Sequence, residues 1–172
     1  MAVYTQLEFD EIEILVAPLG LGRLVTAQGI AAGVENSTYF LDFARRDSAQ
    51  TIGQYVLTIA ETLSRDDLTF VARLMHDLNA RGLPIPAPIS PSTLFDSESA
   101  VLSVREKPAL LVSRIPGAHP HTATPELCRQ IGHLLADLHL ATLSLGYTHE
   151  SHRSLNWVVN TGTAVLSHLP AA

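Results

Sequence analysis

Between Arg23 and Ala60 three runs of strand-type residues follow one another, with breaks too short to hold a crossover helix. Leu24 to Ile30 breaks at Gly33, Thr38 to Phe43 is rich in aromatic residues, and Tyr55 to Ala60 returns after a polar hairpin loop from Ala44 to Gly53. Neighbouring parallel strands need a connection of about a dozen residues, usually helical, so these three runs are expected to pair antiparallel.

Helical patterns flank and follow the strands. Ahead of them Phe9, Ile12, Leu15 and Val16 recur at helical spacing until Pro18, Gly20 and Gly22 end the segment. Behind them Ser64 or Asp66 can cap a helix whose Leu68, Val71, Leu74, Met75 and Leu78 form one apolar face, with Gly82 as its left-handed stop. Pro84, Pro86 and Pro88 keep the next stretch extended. Ala100 to Val104 and Ala109 to Ile115 read as a second hairpin, and residues 117–122 as a linker. Thr124, Pro125 and Glu126 then open a helix with an apolar stripe of Leu127, Ile131, Leu134, Leu135 and Leu138. The tail from Tyr147 is weakly patterned, with Leu155, Trp157, Val158 and Val159 as its core candidates. The order predicts an α+β chain: a five-stranded antiparallel sheet with one helix between strands three and four, as in a protein-kinase small lobe, followed by the first helices of an incomplete large lobe. Order alone leaves other α+β folds open.

Composition narrows the functional classes. Apolar residues make up 47% and charged residues 16%, enough for a packed core. With 11 Lys+Arg against 17 Asp+Glu, a formal charge of −6 and no basic stripe, no nucleic-acid partner is expected. Cys128 is the single cysteine, which rules out an internal disulfide and suits a reducing compartment. The first residues lack a signal-peptide pattern, and no apolar run approaches the roughly 18 residues of a membrane span. A cytoplasmic protein with no membrane partner is the expectation.

The stretch from Gly29 to Phe40 holds most of the chemistry. Strand, small-residue turn and strand make a loop whose backbone N–H groups can face a phosphate, and glycine there lets the ligand approach the backbone. Asn36, Ser37 and Thr38 add short side-chain donors. On its own the stretch is equally a plain hairpin turn.

Its neighbours make it specific. Gly33-Val34-Glu35-Asn36-Ser37-Thr38-Tyr39-Phe40, Tyr55 to Glu61, Asp67-Leu68-Thr69-Phe70, Arg81-Gly82-Leu83-Pro84-Ile85-Pro86-Ala87-Pro88 and Lys107-Pro108-Ala109-Leu110-Leu111 occur in that order. Ile115-Pro116-Gly117 and Arg153-Ser154-Leu155-Asn156-Trp157 follow. This ordered set resembles the homoserine kinases of the aminoglycoside-phosphotransferase superfamily over nearly the whole chain. The resemblance implies ATP-dependent phosphorylation of L-homoserine to O-phosphohomoserine, a step in threonine synthesis, with Mg²⁺ as the companion ion. It implies that Gly33, Val34, Glu35, Asn36, Ser37 and Thr38 cover the ATP phosphates. It further implies that Val56 and the strand from Leu110 to Val112 enclose adenine, and that Ser113 to Ile115 form the hinge. Residues 1–116 would be the nucleotide-binding lobe and 117–172 the start of a helical large lobe.

Two departures from the wider superfamily stand out. Kinases place a lysine on the third strand, and Thr58 stands in that position here, as in the similar homoserine kinases. A threonine offers a hydrogen bond and no charge, so a metal or another cation must offset the phosphates. The superfamily's catalytic loop resembles His-Gly-Asp, and the 172 residues contain no His-x-Asp. No catalytic residue is therefore assigned, and this chain alone is expected to be inactive. The alternatives are a truncated, non-catalytic nucleotide-binding module, or another small-molecule kinase of the choline, aminoglycoside or fructosamine type. In either case the Leu127–Leu138 helix would leave an apolar face bare and drive self-association.

The remaining reactive residues read as structural. His119 with His121, and His149 with His152, lack further ligands at zinc spacing, apart from Glu150, and are expected to be solvated loop histidines. His133 and His139 are expected on the surface of the long helix or in lobe packing, with Asp137 contacting His133. Cys128 is expected to be half-buried and structural, and Trp157 to be core.

Overall fold

A computed structural model describes residues 4–31, 35–45, 50–118, 120, 122–151, 153–166 and 168. Helix α1 (Phe9–Val16) leads through a 3₁₀ turn (Ala17–Leu19) into strands β1 (Arg23–Gly29), β2 (Asn36–Ala44) and β3 (Thr51–Ala60). Helix α2 (Arg65–Ala80), a short α3 (Ser97–Ala100) and strands β4 (Val101–Val104) and β5 (Lys107–Ser113) follow, then helices α4 (Pro125–Thr142) and α5 (Leu155–Leu166). The five strands form one antiparallel sheet in the order β1-β2-β3-β5-β4, so the chain is α+β as the pattern predicts.

Alternation along each strand gives the sheet two distinct faces. Tyr39, Leu41 and Phe43 of β2 share one face with Leu57 and Ile59 of β3 and Ala109 and Leu111 of β5, where Ile12 and Val16 of α1 complete a core. On the opposite face α2 covers only one end, packing Leu68 and Ala72 on Ala60, Val101 and Leu110. That helix starts where its capping residues dictate. The Ser64 hydroxyl accepts the Asp67 N–H at 3.1 Å, and the Asp67 carboxylate accepts the Ser64 N–H at 3.0 Å. It stops at Gly82, whose φ of 84° is left-handed.

Four local expectations change. Strand β3 begins at Thr51 rather than Tyr55, because the β2–β3 ladder continues through Phe43↔Gly53 and Ala44↔Thr51 beyond the apolar core that produced the sequence pattern. The weakly patterned tail contains a full helix, α5. Its core candidates are exposed: Leu155 by 77%, Trp157 by 42%, Val158 by 52% and Val159 by 57%, since no second layer faces them among the described residues. The stripe of α4 is also in solvent, and neither helix buries a residue. Cys128 on α4 is exposed for the same reason, not half-buried.

Helix α4 and the segment after it are tied to α2 by polar and aromatic contacts. Arg81 donates to the Ala141 carbonyl and the Ser144 hydroxyl, both at 2.6 Å. Tyr147 donates to Asp77 at 2.7 Å beneath the Arg73 guanidinium, which lies 4.0 Å from its ring centre. His149 stacks on Phe70 at 4.7 Å and meets the Asp67 carboxylate at 2.6 Å. Burial, and then the hydrogen bond to Asp77, push the Tyr147 hydroxyl up to about 12.

Candidate functional site

The face of the sheet left open by α2 is organised in rows across three strands. Thr38, Thr58 and Leu110 form one row, and Phe40, Val56 and Val112 the next. Thr38, Val56 and Thr58, three of the residues singled out from the sequence, thus meet on one half-exposed wall. In the row nearer the β1–β2 turn, Thr38 and Thr58 present two half-exposed hydroxyls beside the buried Leu110. The row behind it is apolar, with the Arg114 guanidinium 4.2 Å from the Phe40 ring centre. A flat heteroaromatic ring suits the apolar row and an oxyanion the two hydroxyls, so the residues present fit a nucleotide laid along the strands. Among the described residues no three His, Cys, Asp or Glu side chains are grouped to hold a metal ion.

The other nominated residues lie around this wall. Asn36 opens β2 opposite Ala60. Glu35 sits at the bend before it and forms an ion pair with Arg153. Gly33 and Val34 lie outside the described residues, as do His119, His121 and His152. At the far end of the wall, Ser113 binds residue 87 twice: its N–H donates to the Ala87 carbonyl at 2.9 Å, and its hydroxyl accepts the Ala87 N–H at 2.9 Å. Arg114 N–H donates to the Gln54 carbonyl at 3.0 Å, so the hinge stretch is pinned to the sheet up to residue 114. Ile115, half in solvent, is the first residue beyond it.

Ser37 points the other way. Its hydroxyl is fully buried on the α1 face, accepts the N–H groups of Tyr4 and Thr5 at 2.8 Å each, and donates to Glu61 at 2.6 Å. The side chain is therefore not available to a phosphate from the open face, as alternation with Thr38 requires. Sequence reasoning did not find the network around it. Lys107 pairs with the Glu61 carboxylate and donates to the Thr5 hydroxyl at 2.9 Å. The Tyr39 hydroxyl donates to the Thr5 carbonyl and accepts the Leu7 N–H, each at 2.8 Å. Burial raises the Glu61 carboxyl, but hydrogen bonds from Lys107, Ser37 and Thr5 outweigh it and hold the group below the ordinary carboxylate range. Burial likewise raises the Tyr39 hydroxyl. Together these groups brace the start of β2 from behind. The signal was in the sequence: Ser37 shares its alternation with Tyr39, Leu41 and Phe43.

Residues 26–161 match the model of the phosphotransferase enzyme family. The chain is 36% identical over 170 residues to a homoserine kinase of Polaromonas naphthalenivorans, covering 98% of this chain and 50% of that protein. Identity is 36% over 171 residues to a homoserine kinase of Cupriavidus pinatubonensis, covering 99% and 50% of the two chains. It is 35% over 170 residues to one of Pseudomonas aeruginosa, again covering 99% and 50%. The chain spans about half the length of the curated relatives it matches. With the family match running from within β1 through the rest of the sheet and into both later helices, the chain belongs to the phosphotransferase enzyme family.

Proposed function

We propose that the chain is the nucleotide-binding portion of a homoserine kinase, acting in the ATP-dependent conversion of L-homoserine to O-phosphohomoserine. The observation that carries this reading is identity of 35–36% to homoserine kinases across nearly every residue of the chain. The wall of Thr38, Val56, Thr58 and Val112 supports it by offering an apolar seat for adenine beside hydroxyls for phosphate. In this reading Val56 and Val112 contact adenine and Ile115 the adenine edge, while the turn from Gly33 to Thr38 covers the phosphates through its backbone. ATP supplies the transferred group and Mg²⁺ the counter-charge; the acceptor is homoserine, a small molecule handled in the cytoplasm. No helix among the described residues is long and apolar enough to cross a membrane.

The 172 residues contain no His-x-Asp, which favours assigning this stretch nucleotide binding without acid–base chemistry. We accordingly assign residues 1–116 to the nucleotide-binding lobe and 117–172 to the start of a helical lobe. The bare apolar faces of α4 and α5 are proposed to drive self-association of the 172-residue chain. Calorimetry of that chain with ATP tests the nucleotide reading, with micromolar to millimolar binding expected and absence of binding overturning it. Transfer of ³²P from ATP to homoserine, choline or an aminoglycoside, measured on the full coding sequence, tests the acceptor. Transfer to choline in preference to homoserine would place the chain with a different small-molecule kinase.

A further inference from the structure

The row of Thr38, Thr58 and Leu110, which takes the phosphates in the proposed function, carries no formal charge, because Thr58 stands where kinases place a lysine, and the Arg114 guanidinium lies in the row behind it, over Phe40. A triphosphate nevertheless needs cationic partners in addition to any metal. Two basic side chains reach the turn end of the sheet through its acidic residues, and they differ in how firmly they are held. Lys107 is committed: its carboxylate partner Glu61 is only 10% exposed and is also bound by Ser37, and the ammonium further holds Thr5. Arg153 is not. Its ion pair with Glu35, the residue directly before β2, leaves the two side chains 44% and 49% exposed. The face of the Trp157 ring lies 5.4 Å from the same guanidinium, which orients it without neutralising it.

We propose that Arg153 is a further nucleotide-binding residue, with Glu35 as its placeholder, so that the guanidinium transfers from the Glu35 carboxylate to the phosphates when ATP binds. This rests on the nucleotide reading of the open sheet face. An exposed ion pair is worth little against water and salt, roughly 0–1 kcal/mol, so it yields to a ligand of higher charge. Arginine's planar fork matches phosphate oxygens with two parallel hydrogen bonds, which a lone carboxylate in solvent does not outcompete. The exchange has a cost, since it leaves the Glu35 carboxylate without its partner beside the phosphates, and the two charge-assisted bonds to phosphate must outweigh it.

The test compares ATP with magnesium against adenosine on the 172-residue chain by calorimetry. Adenosine occupies the apolar row and carries no phosphate, so it separates the two parts of the site. Arg153→Ala is expected to weaken ATP about tenfold, the loss of one charge-assisted interaction, and to leave adenosine unchanged. Arg153→Lys should retain part of the ATP affinity. Glu35→Gln should tighten ATP, and that gain should shrink in the Arg153→Ala background, since the two residues act on each other. Equal ATP affinity in wild type and Arg153→Ala, or an equal loss for ATP and adenosine, overturns the role of Arg153 while leaving the nucleotide reading intact. A wild-type chain that binds neither ligand overturns both.

Discussion

A buried hydroxyl that accepts two backbone N–H groups at the start of an interior strand has few substitutes, and Ser37 is in that position. Ser37→Ala leaves the Tyr4 and Thr5 amides without their acceptor and Glu61 without one of its donors. The expected loss is about 1–3 kcal/mol in urea unfolding, chiefly the cost of stranding the buried Thr5 donor. A loss under about 0.5 kcal/mol would mean the amides find other partners. Ser37 also marks what is readable at the scale of single residues. Residue type suggested a phosphate donor, whereas the strand's period of two decided which side the hydroxyl takes. Thr38 and Thr58 were legible for the opposite reason: their positions on the open face follow from the same period. Glu61 and Lys107 meet across 46 positions, a separation that no local pattern encodes.

At the scale of elements, the helix and strand types follow from local chemistry, and most boundaries lie where caps and turn residues put them. The exceptions are informative. Helix α5 was missed because Leu155, Trp157, Val158 and Val159 form a cluster rather than a helical stripe, and they imitate a short buried run. Glycines at element ends separate two kinds of cost. At Gly22, φ is 111° and an added Cβ would lie 2.4 Å from the Ala44 carbonyl oxygen, whereas at Gly82 φ is 84° and nothing lies within 4 Å. Gly82→Ala should therefore cost about 1 kcal/mol from backbone strain alone. Gly22→Ala should cost at least about 2 kcal/mol, because the edge strand must shift as well. Thermal melts of the two variants compare them, and equal destabilisation would contradict the close approach. Helix α2 carries an acid-sensitive start. Hydrogen bonds from His149, then from the Ser64 side chain and backbone, lower the Asp67 carboxyl from 3.8 to about 2. A lowered folded-state value contributes stability that is present above 3.8 and lost as pH falls toward 2. The urea midpoint should drop through that window, and Asp67→Asn should flatten the drop while costing about 1 kcal/mol at neutral pH from the weakened cap. An unchanged acid limb in Asp67→Asn would assign the effect to other carboxylates.

For the whole molecule, the contrast is between a well-buried sheet and two helices with no buried residue. Ile131, Leu134 and Leu135 on α4 are 56%, 40% and 51% exposed, and α5 adds Trp157 and Val158. Monomeric proteins rarely leave such contiguous apolar surface open. The proposed self-association should appear in sedimentation velocity as a weight-average coefficient that rises with protein concentration. Joint substitution of Ile131→Ser, Leu134→Ser and Leu135→Ser should suppress the rise with little change in melting temperature, since these side chains contribute little to the fold. A concentration-independent monomer in the parent chain would dismiss the idea. The amphipathic stripe of α4 was legible in the sequence from its period, whereas its exposure was expected only from the family resemblance, because periodicity reports which face is apolar and not whether anything covers it.

The tie between Thr5 and Lys107 spans 102 positions, and that has a consequence for biosynthesis. At translation rates of about 5–20 residues per second, roughly 5–20 s separate the emergence of Thr5 from that of Lys107. The β1–β2–β3 meander can pair within that interval, but its amino-terminal brace cannot close on the ammonium that completes it. Thr5 and its neighbours are thus locked only once β5 has emerged, and a nascent chain halted before β5 would present them to proteases and chaperones.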